Sequence, residues 1–180
     1  MIVAREKKQE NIIEYILYMF QIEDLIRAYN LDPDQIEKNV IVEYQQEAGV
    51  LSEIKEWYRS HIVMMIQEKK QKKGHLVYIE NLISDLEDFH VFLLKKAGNE
   101  EYLKLYQQAL PAIQDLKLKL EDQRIPDIQA CLNGLYGYLL LKLQKKEISK
   151  PTKDAVDKIS QMLAYLSEKQ KMVDAGELEL

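Results

Sequence analysis

Residues 12–20 read Ile-Ile-Glu-Tyr-Ile-Leu-Tyr-Met-Phe, and the run continues through Gln21-Ile22-Glu23-Asp24-Leu25-Ile26-Arg27. With 3.6 residues per turn, these apolar side chains wrap most of a helix and leave only Glu14 and Gln21 to mark a narrow wet side. A helix that is apolar nearly all round must be enclosed by others. The remainder of the chain therefore has to supply packing partners, and this requirement limits the fold more than any other feature.

Two charges interrupt the apolar face of this helix. With Ile12 at 0°, Glu23 falls at about 20° and Arg27 at about 60°, beside Ile16 at about 40° and Met19 at about 340°. The pair is spaced i, i+4 with the acid first, which is the favourable order on one helix. A charge buried alone would cost several kcal/mol, so Glu23 and Arg27 are expected to compensate each other or to reach polar groups on a facing helix. One reading is an internal ion pair that fixes register. The other is a charged constellation inside a cavity.

The 180 residues suit one domain able to bury about 70% of its unfolded surface. Hydrophobic residues at 47%, with only 6 Gly and 4 Pro, fit helices better than a sheet or a disordered chain. No alternating Val, Ile or Thr run lies between turn signals, so no strand is predicted. A net charge of −5 argues against a general nucleic-acid binder, which needs a basic face. The single Cys131 cannot form an internal disulfide, and the first residues lack a signal-peptide core, so a cytoplasmic setting is expected. The longest apolar segments, near residues 12–20 and 138–141, are too short or too interrupted to span a bilayer.

Helix signals follow one another along the chain. The first helix is expected from Ala4 or Arg5 to Tyr29, ended by Asn30-Leu31-Asp32-Pro33, with Asp32 capping the second. That one fades at Gly49, and Ser52 can cap the third, whose stripe is Ile54, Trp57, Tyr58, His61, Ile62 and Met65. The run Lys69-Lys70-Gln71-Lys72-Lys73-Gly74 reads as its basic C-terminal turn with a glycine exit, a phosphate-binding patch being the lesser reading. A fourth helix from about His75 to Lys96 is closed by Ala97-Gly98-Asn99 and should form an antiparallel hairpin with the third. The fifth, Glu100 to about Gln123, places Pro111 towards solvent, where it should kink the helix. The sixth starts at Pro126 and carries Ile128, Cys131, Leu132, Leu135 and Leu139 inward, with Gly134 and Gly137 suggesting a close backbone approach by a neighbour. Thr152 is expected to cap the last, which ends near Ala175-Gly176. The expectation is an all-α, single-domain bundle over 1–176, of six or seven mostly antiparallel helices, with a frayed tail at 177–180.

Chemistry has few places to reside. Level pairing across the expected hairpin sets His61 near Glu87 and within about a turn of His90. Glu87-Asp88-Phe89-His90 is also an E-x-x-H, the spacing used in carboxylate-bridged dimetal bundles, but those need two such motifs and further carboxylates. A mononuclear metal site from His61, Glu87, His90 and Glu23 is conceivable, and the plainer reading is hydrogen-bonded core histidines. Ser52-Glu53-Ile54-Lys55 matches S-x-x-K but lacks the companion motifs and the mixed fold, so capping is preferred. Cys131 lies on a buried stripe, where a thiol is inert. Arg59 precedes His61 by only two residues, which is not the R-x4-6-H spacing of helical nucleases. No catalytic residue is nominated and no cofactor is called for.

Eleven tyrosines are many for 180 residues; the plainer reading sets them at core rims, and the functional reading is an oligomer or partner surface, since tyrosine and Trp57 concentrate in interfaces. From Glu10 to Ala28, E-N-I-I-E-Y-I-L-Y-M-F-Q-I-E-D-L-I-R-A, the chain resembles the opening of an uncharacterised family of bacterial all-helical proteins, a domain of unknown function. The resemblance extends over most of the chain and implies a bacterial cytoplasmic helical domain. It brings no activity and no catalytic residues. The function expected is a non-catalytic interaction or scaffold protein acting through self-association or a protein partner. The alternative is a bundle with a metal or small-ligand site around Glu23, Arg27, His61, Glu87 and His90.

Overall fold

The computed structural model describes residues 2–95, 99–120 and 122–177. Among them the regular structure is helical: α1 (Ile2–Glu10), α2 (Ile12–Ala28), α3 (Pro33–Asn39), a 3-10 turn (Ile41–Glu43), α4 (Ala48–Gln67), α5 (Val77–Lys95), α6 (Glu100–Lys119), α7 (Asp127–Leu143) and α8 (Lys150–Asp174). These are eight α-helices where six or seven were expected. The extra one arises at Asn11, which divides the expected first helix. Its Oδ1 accepts from Ile13 N at 2.9 Å and from Ser167 Oγ at 3.0 Å. A short amide that bonds the backbone two residues on competes with helical pairing, so one asparagine restarts the helix.

Other boundaries also move. Asp32 caps α3 as expected, accepting from Asp34 N and Gln35 N, a cap of about 1 kcal/mol. Gly49 and Ser52 are not boundaries, because α4 already starts at Ala48 after an extended Glu47. It ends at Gln67, and the left-handed exit residue is Lys69 (φ 58°) rather than Gly74. Asn30, Lys145 and Gly176 play the same part after α2, α7 and α8. In all four the next amide reaches back five residues, as in Lys70 N to Met65 O at 2.8 Å. α6 stops at Lys119, short of Gln123, and Asp122 Oδ1 then bonds Arg124 N in a turn. Pro111 is exposed within α6. The cap of α8 is Ser149, which accepts from Thr152 N, so the hydroxyl three residues ahead of the expected cap does the work. The expected closure at Ala97-Gly98, the end at Lys96 and residues 178–180 of the tail lie outside the described residues.

The chain divides into two compact units, one of residues 1–10 and 14–80, the other of residues 11–13 and 81–180. In the first unit, α3 packs on α4 and on the 3-10 turn. Its core holds Ile16, Met19, Phe20 and Ile26 of α2, Ile36 of α3, and Tyr58 and Met65 of α4. In the second, α6, α7 and α8 pack pairwise round Tyr102, Ile113, Ile128, Leu132, Met162 and Leu166, all buried. These are the stripes anticipated from the 3.6-residue period, with differences at Trp57 on α4, which is half-buried, and on α7. Leu135 and Leu139 were expected inward and are half-buried. The close backbone approach expected at the two glycines is not found: at Gly134 a Cβ would meet the Leu116 side chain, Cδ1 at 2.6 Å, and at Gly137 it would meet nothing within 4 Å.

Candidate functional site

The first unit contains a charged centre on α2. Glu23 is fully buried, and its carboxylate accepts from Leu76 N at 2.8 Å and holds His75 Nδ1 at 2.6 Å. The His75 ring stacks on Phe20 with centroids 3.7 Å apart. Arg27 does not serve as the partner of Glu23. Its guanidinium bonds Asp24 Oδ1 at 2.8 Å, donates to Lys70 O at 3.2 Å and donates to Gly74 O. Side chains on a helix lean towards its N-terminus, and Arg27 finds acceptors on the 68–76 connection that Glu23 also grips. The mutual pair is not formed, and the polar groups reached belong to the connection between α4 and α5 rather than to a facing helix. The two charges tie α2 to the start of α5, whose first helical amide, Val77 N, is in turn bound by Glu68 Oε2 at 2.7 Å. The basic run is drawn into the same connection, with Lys70 Nζ 2.5 Å from Glu80 Oε1.

His61 belongs to this unit and is almost fully buried. Its Nδ1 lies 2.7 Å from Trp57 O and its Nε2 3.2 Å from Tyr78 Oη. Burial lowers its pKa below the usual histidine value, although the Trp57 carbonyl works the other way. Phenols cluster nearby. Tyr15 bonds Tyr78, and Tyr58 Oη is buried beside Tyr44.

Glu87 and His90 lie in the second unit, and both reach the N-terminus of α7. Pro126 stands at the cap position of α7 and brings no capping side chain. Glu87 Oε2 takes over, accepting from the buried Ile128 N at 2.8 Å. This is a cap donated from another helix, and a negative group at a helix start also meets the favourable end of the dipole. Burial raises the Glu87 pKa against the pull of that amide. His90 is buried with Nδ1 2.6 Å from Tyr102 Oη and Nε2 4.0 Å from Asp127 Oδ2. Asp127, the first residue of α7, also binds Tyr106 Oη at 2.8 Å and Lys117 Nζ at 2.5 Å. Burial pushes the Asp127 carboxyl up, but the bonds from Lys117 and Tyr106 outweigh it and leave the pKa below the aspartate norm. Burial pushes the His90 pKa down. The E-x-x-H spacing thus does put both side chains on one side of α5, where they hold a helix end.

Among the described residues no group of three or more His, Cys, Asp or Glu could hold a metal ion. Cys131 is fully buried and burial raises its pKa, so its thiol is unreactive. What sequence reasoning missed is His75, overlooked because it sits outside any stripe, and the Lys117–Asp127 pair, whose members lie on separate helices.

The surface of the second unit offers a different feature. α7 carries no charged residue from Ile128 to Leu141, and every residue from Asn133 to Leu141 is half-buried. Leu143, one turn beyond Leu139, is 65% exposed. A helical stretch uncharged on every side from Ile128 to Leu141, yet reachable by water, is unusual on a chain that is 31% charged, and the exposed Lys142 follows it in the last turn of α7. No described helix is long and apolar enough to cross a membrane.

The sequence profile of a family described as a domain of unknown function (DUF4924) matches residues 1–177, nearly the whole chain. Comparison with curated proteins and with solved structures finds no match.

Proposed function

We propose that this chain, which belongs to the DUF4924 family, works as an interaction protein rather than an enzyme, and that its partner is a second copy of itself bound through the C-terminal half of α7. The observation that supports this reading is the uncharged, half-buried run Asn133–Leu141 with exposed Leu143 beyond it. On a chain of net charge −5, α7 carries no acidic residue from Ile128 to Leu143, and its one cation there, Lys142, lies 4.6 Å from the Tyr138 ring centroid. Leu140 and Leu143 are spaced i, i+3 and share one side, so a two-fold pairing would set leucine against leucine. About two to three turns of helix is a small patch, which suits a weak, concentration-dependent dimer rather than an obligate one.

The polar centres fit this reading, because their charged groups bind helix starts, as Glu23 and Glu87 do, or the 68–76 connection, as Arg27 does. A cytoplasmic setting, expected from the lone buried Cys131, is part of the same proposal. Sedimentation velocity tests it: the wild type should gain a dimer boundary as concentration rises, and Leu143→Lys should sediment as a monomer with unchanged helical circular dichroism. A wild type that stays monomeric throughout would refute self-association.

A further inference from the structure

A cavity of about 360 Å³ opens in the second unit between the C-terminal halves of α6 and α7 and the N-terminal half of α8. Its walls are largely apolar, with Leu116 and Leu120 from α6, Tyr138 and Leu141 from α7, and Val156 and Ile159 from α8. Cores pack without voids of this size, and cavities of roughly 300–1,000 Å³ are the range of small-molecule sites. Gly137 accounts for part of the space. It lines the cavity, and a Cβ built on it meets nothing within 4 Å. Glycine inside a helix costs about 1 kcal/mol relative to alanine, so an alanine there would add helix stability and intrude on the void.

We propose that this cavity is a binding site for a neutral, mostly apolar small molecule of about a dozen heavy atoms. The size follows from volume, since a dry apolar cavity of about 150 Å³ holds benzene and this one is more than twice as large. Neutrality follows from the charges at the mouth. Asp115 and Lys119 both line it, one charge of each sign four residues apart on α6, so the lining favours neither sign of ligand. Asn133 and Thr152 add an amide and a hydroxyl that can bond one polar group on an otherwise apolar molecule. The site goes beyond self-association: it shares Asn133, Gly134, Leu135, Gly137, Tyr138 and Leu141 of α7 with the stretch proposed for pairing, whereas Leu140 and Leu143, which carry that pairing, do not line the cavity.

The test is a fluorescence titration of the full chain with 1-naphthylamine, a neutral two-ring probe, followed by displacement with 1-decanol and with decanoate. The probe should bind with one site per chain, and Gly137→Leu should weaken it at least tenfold while the melting temperature holds or rises. Ala155→Leu, which intrudes from α8, gives the same readout should Gly137→Leu fail to fold. Leu143→Lys should bind the probe as the wild type does, so loss of association and loss of the cavity site are told apart. Probe binding unchanged by both filling variants, or absent from the folded wild type, would overturn the site. Decanoate displacing tenfold better than decanol would overturn the neutral class.

Discussion

Replacing Glu23 with alanine should destabilise the chain by about 3 kcal/mol, and the structure fixes where that loss arises. The substitution removes the acceptor from Leu76 N, an amide on a fully buried residue, and an unsatisfied buried donor costs about 1–3 kcal/mol. It also removes the bond to His75, which is charge-assisted through the carboxylate and contributes about 1.5–3 kcal/mol before discounting. The discount is real, because the His75 side chain is 23% exposed and can recover water, and because the variant no longer buries a carboxylate. Glu23→Gln keeps an acceptor for Leu76 and should lose only about 1–2 kcal/mol. Urea unfolding followed at the helical circular dichroism band reads both. With a slope of about 1–3 kcal/mol/M, the alanine midpoint should fall by about 1–3 M. A double-mutant cycle locates the partner: Glu23 and His75 should couple by about 1–2 kcal/mol, and Glu23 and Arg27 by close to zero. A loss under about 1 kcal/mol for Glu23→Ala, the figure for an exposed pair, would refute the reasoning. So would coupling to Arg27 in place of His75.

Glu87→Ala should cost about 1–2 kcal/mol by uncapping α7, with the loss appearing as faster amide exchange at Ile128, and unchanged exchange there would count against the cap. The pH dependence follows from His61 and His90, both lowered below 6.5 by burial. A histidine depressed in the folded state binds its proton more readily when unfolded, so the stability it contributes is complete above 6.5 and declines as pH falls through that value towards the folded pKa. Each histidine contributes a slope of up to about 1.4 kcal/mol per pH unit in that window. Urea midpoints at pH 7.5, 6.5 and 5.5 should therefore descend, and His90→Gln should flatten part of the descent. A midpoint that rises on acidification would reverse the assignment.

Much of the architecture was readable from apolar spacing. Ile16, Met19 and Ile26 on α2, Ile54 and Met65 on α4, and Ile113 on α6 are buried where a 3.6-residue period puts them. The boundaries were less legible because capping is decided among neighbours of similar chemistry. Ser149 and Thr152 can each start a helix, and Asn11 lies in a run whose pattern never falters. The polar centres were half legible. Periodicity shows that Glu23 and His90 face inward, but not what they meet, since Glu23 is 53 residues from Leu76 and Glu87 is 41 from Ile128. A local i, i+4 rule therefore paired Glu23 with the wrong group. Leu135 and Leu139 show the converse, where an inward stripe on α7 found too few partners to be fully covered.

That incomplete cover is the basis of the functional proposal, and hydrogen–deuterium exchange read peptide by peptide at several protein concentrations tests it most directly. If a second copy packs on α7, amides from Asn133 to Leu143 should gain protection as concentration rises, while those of α3 and α4 stay constant, and Leu143→Lys should abolish the gain. Exchange across α7 that is independent of concentration, or protection that grows elsewhere instead, would contradict the account.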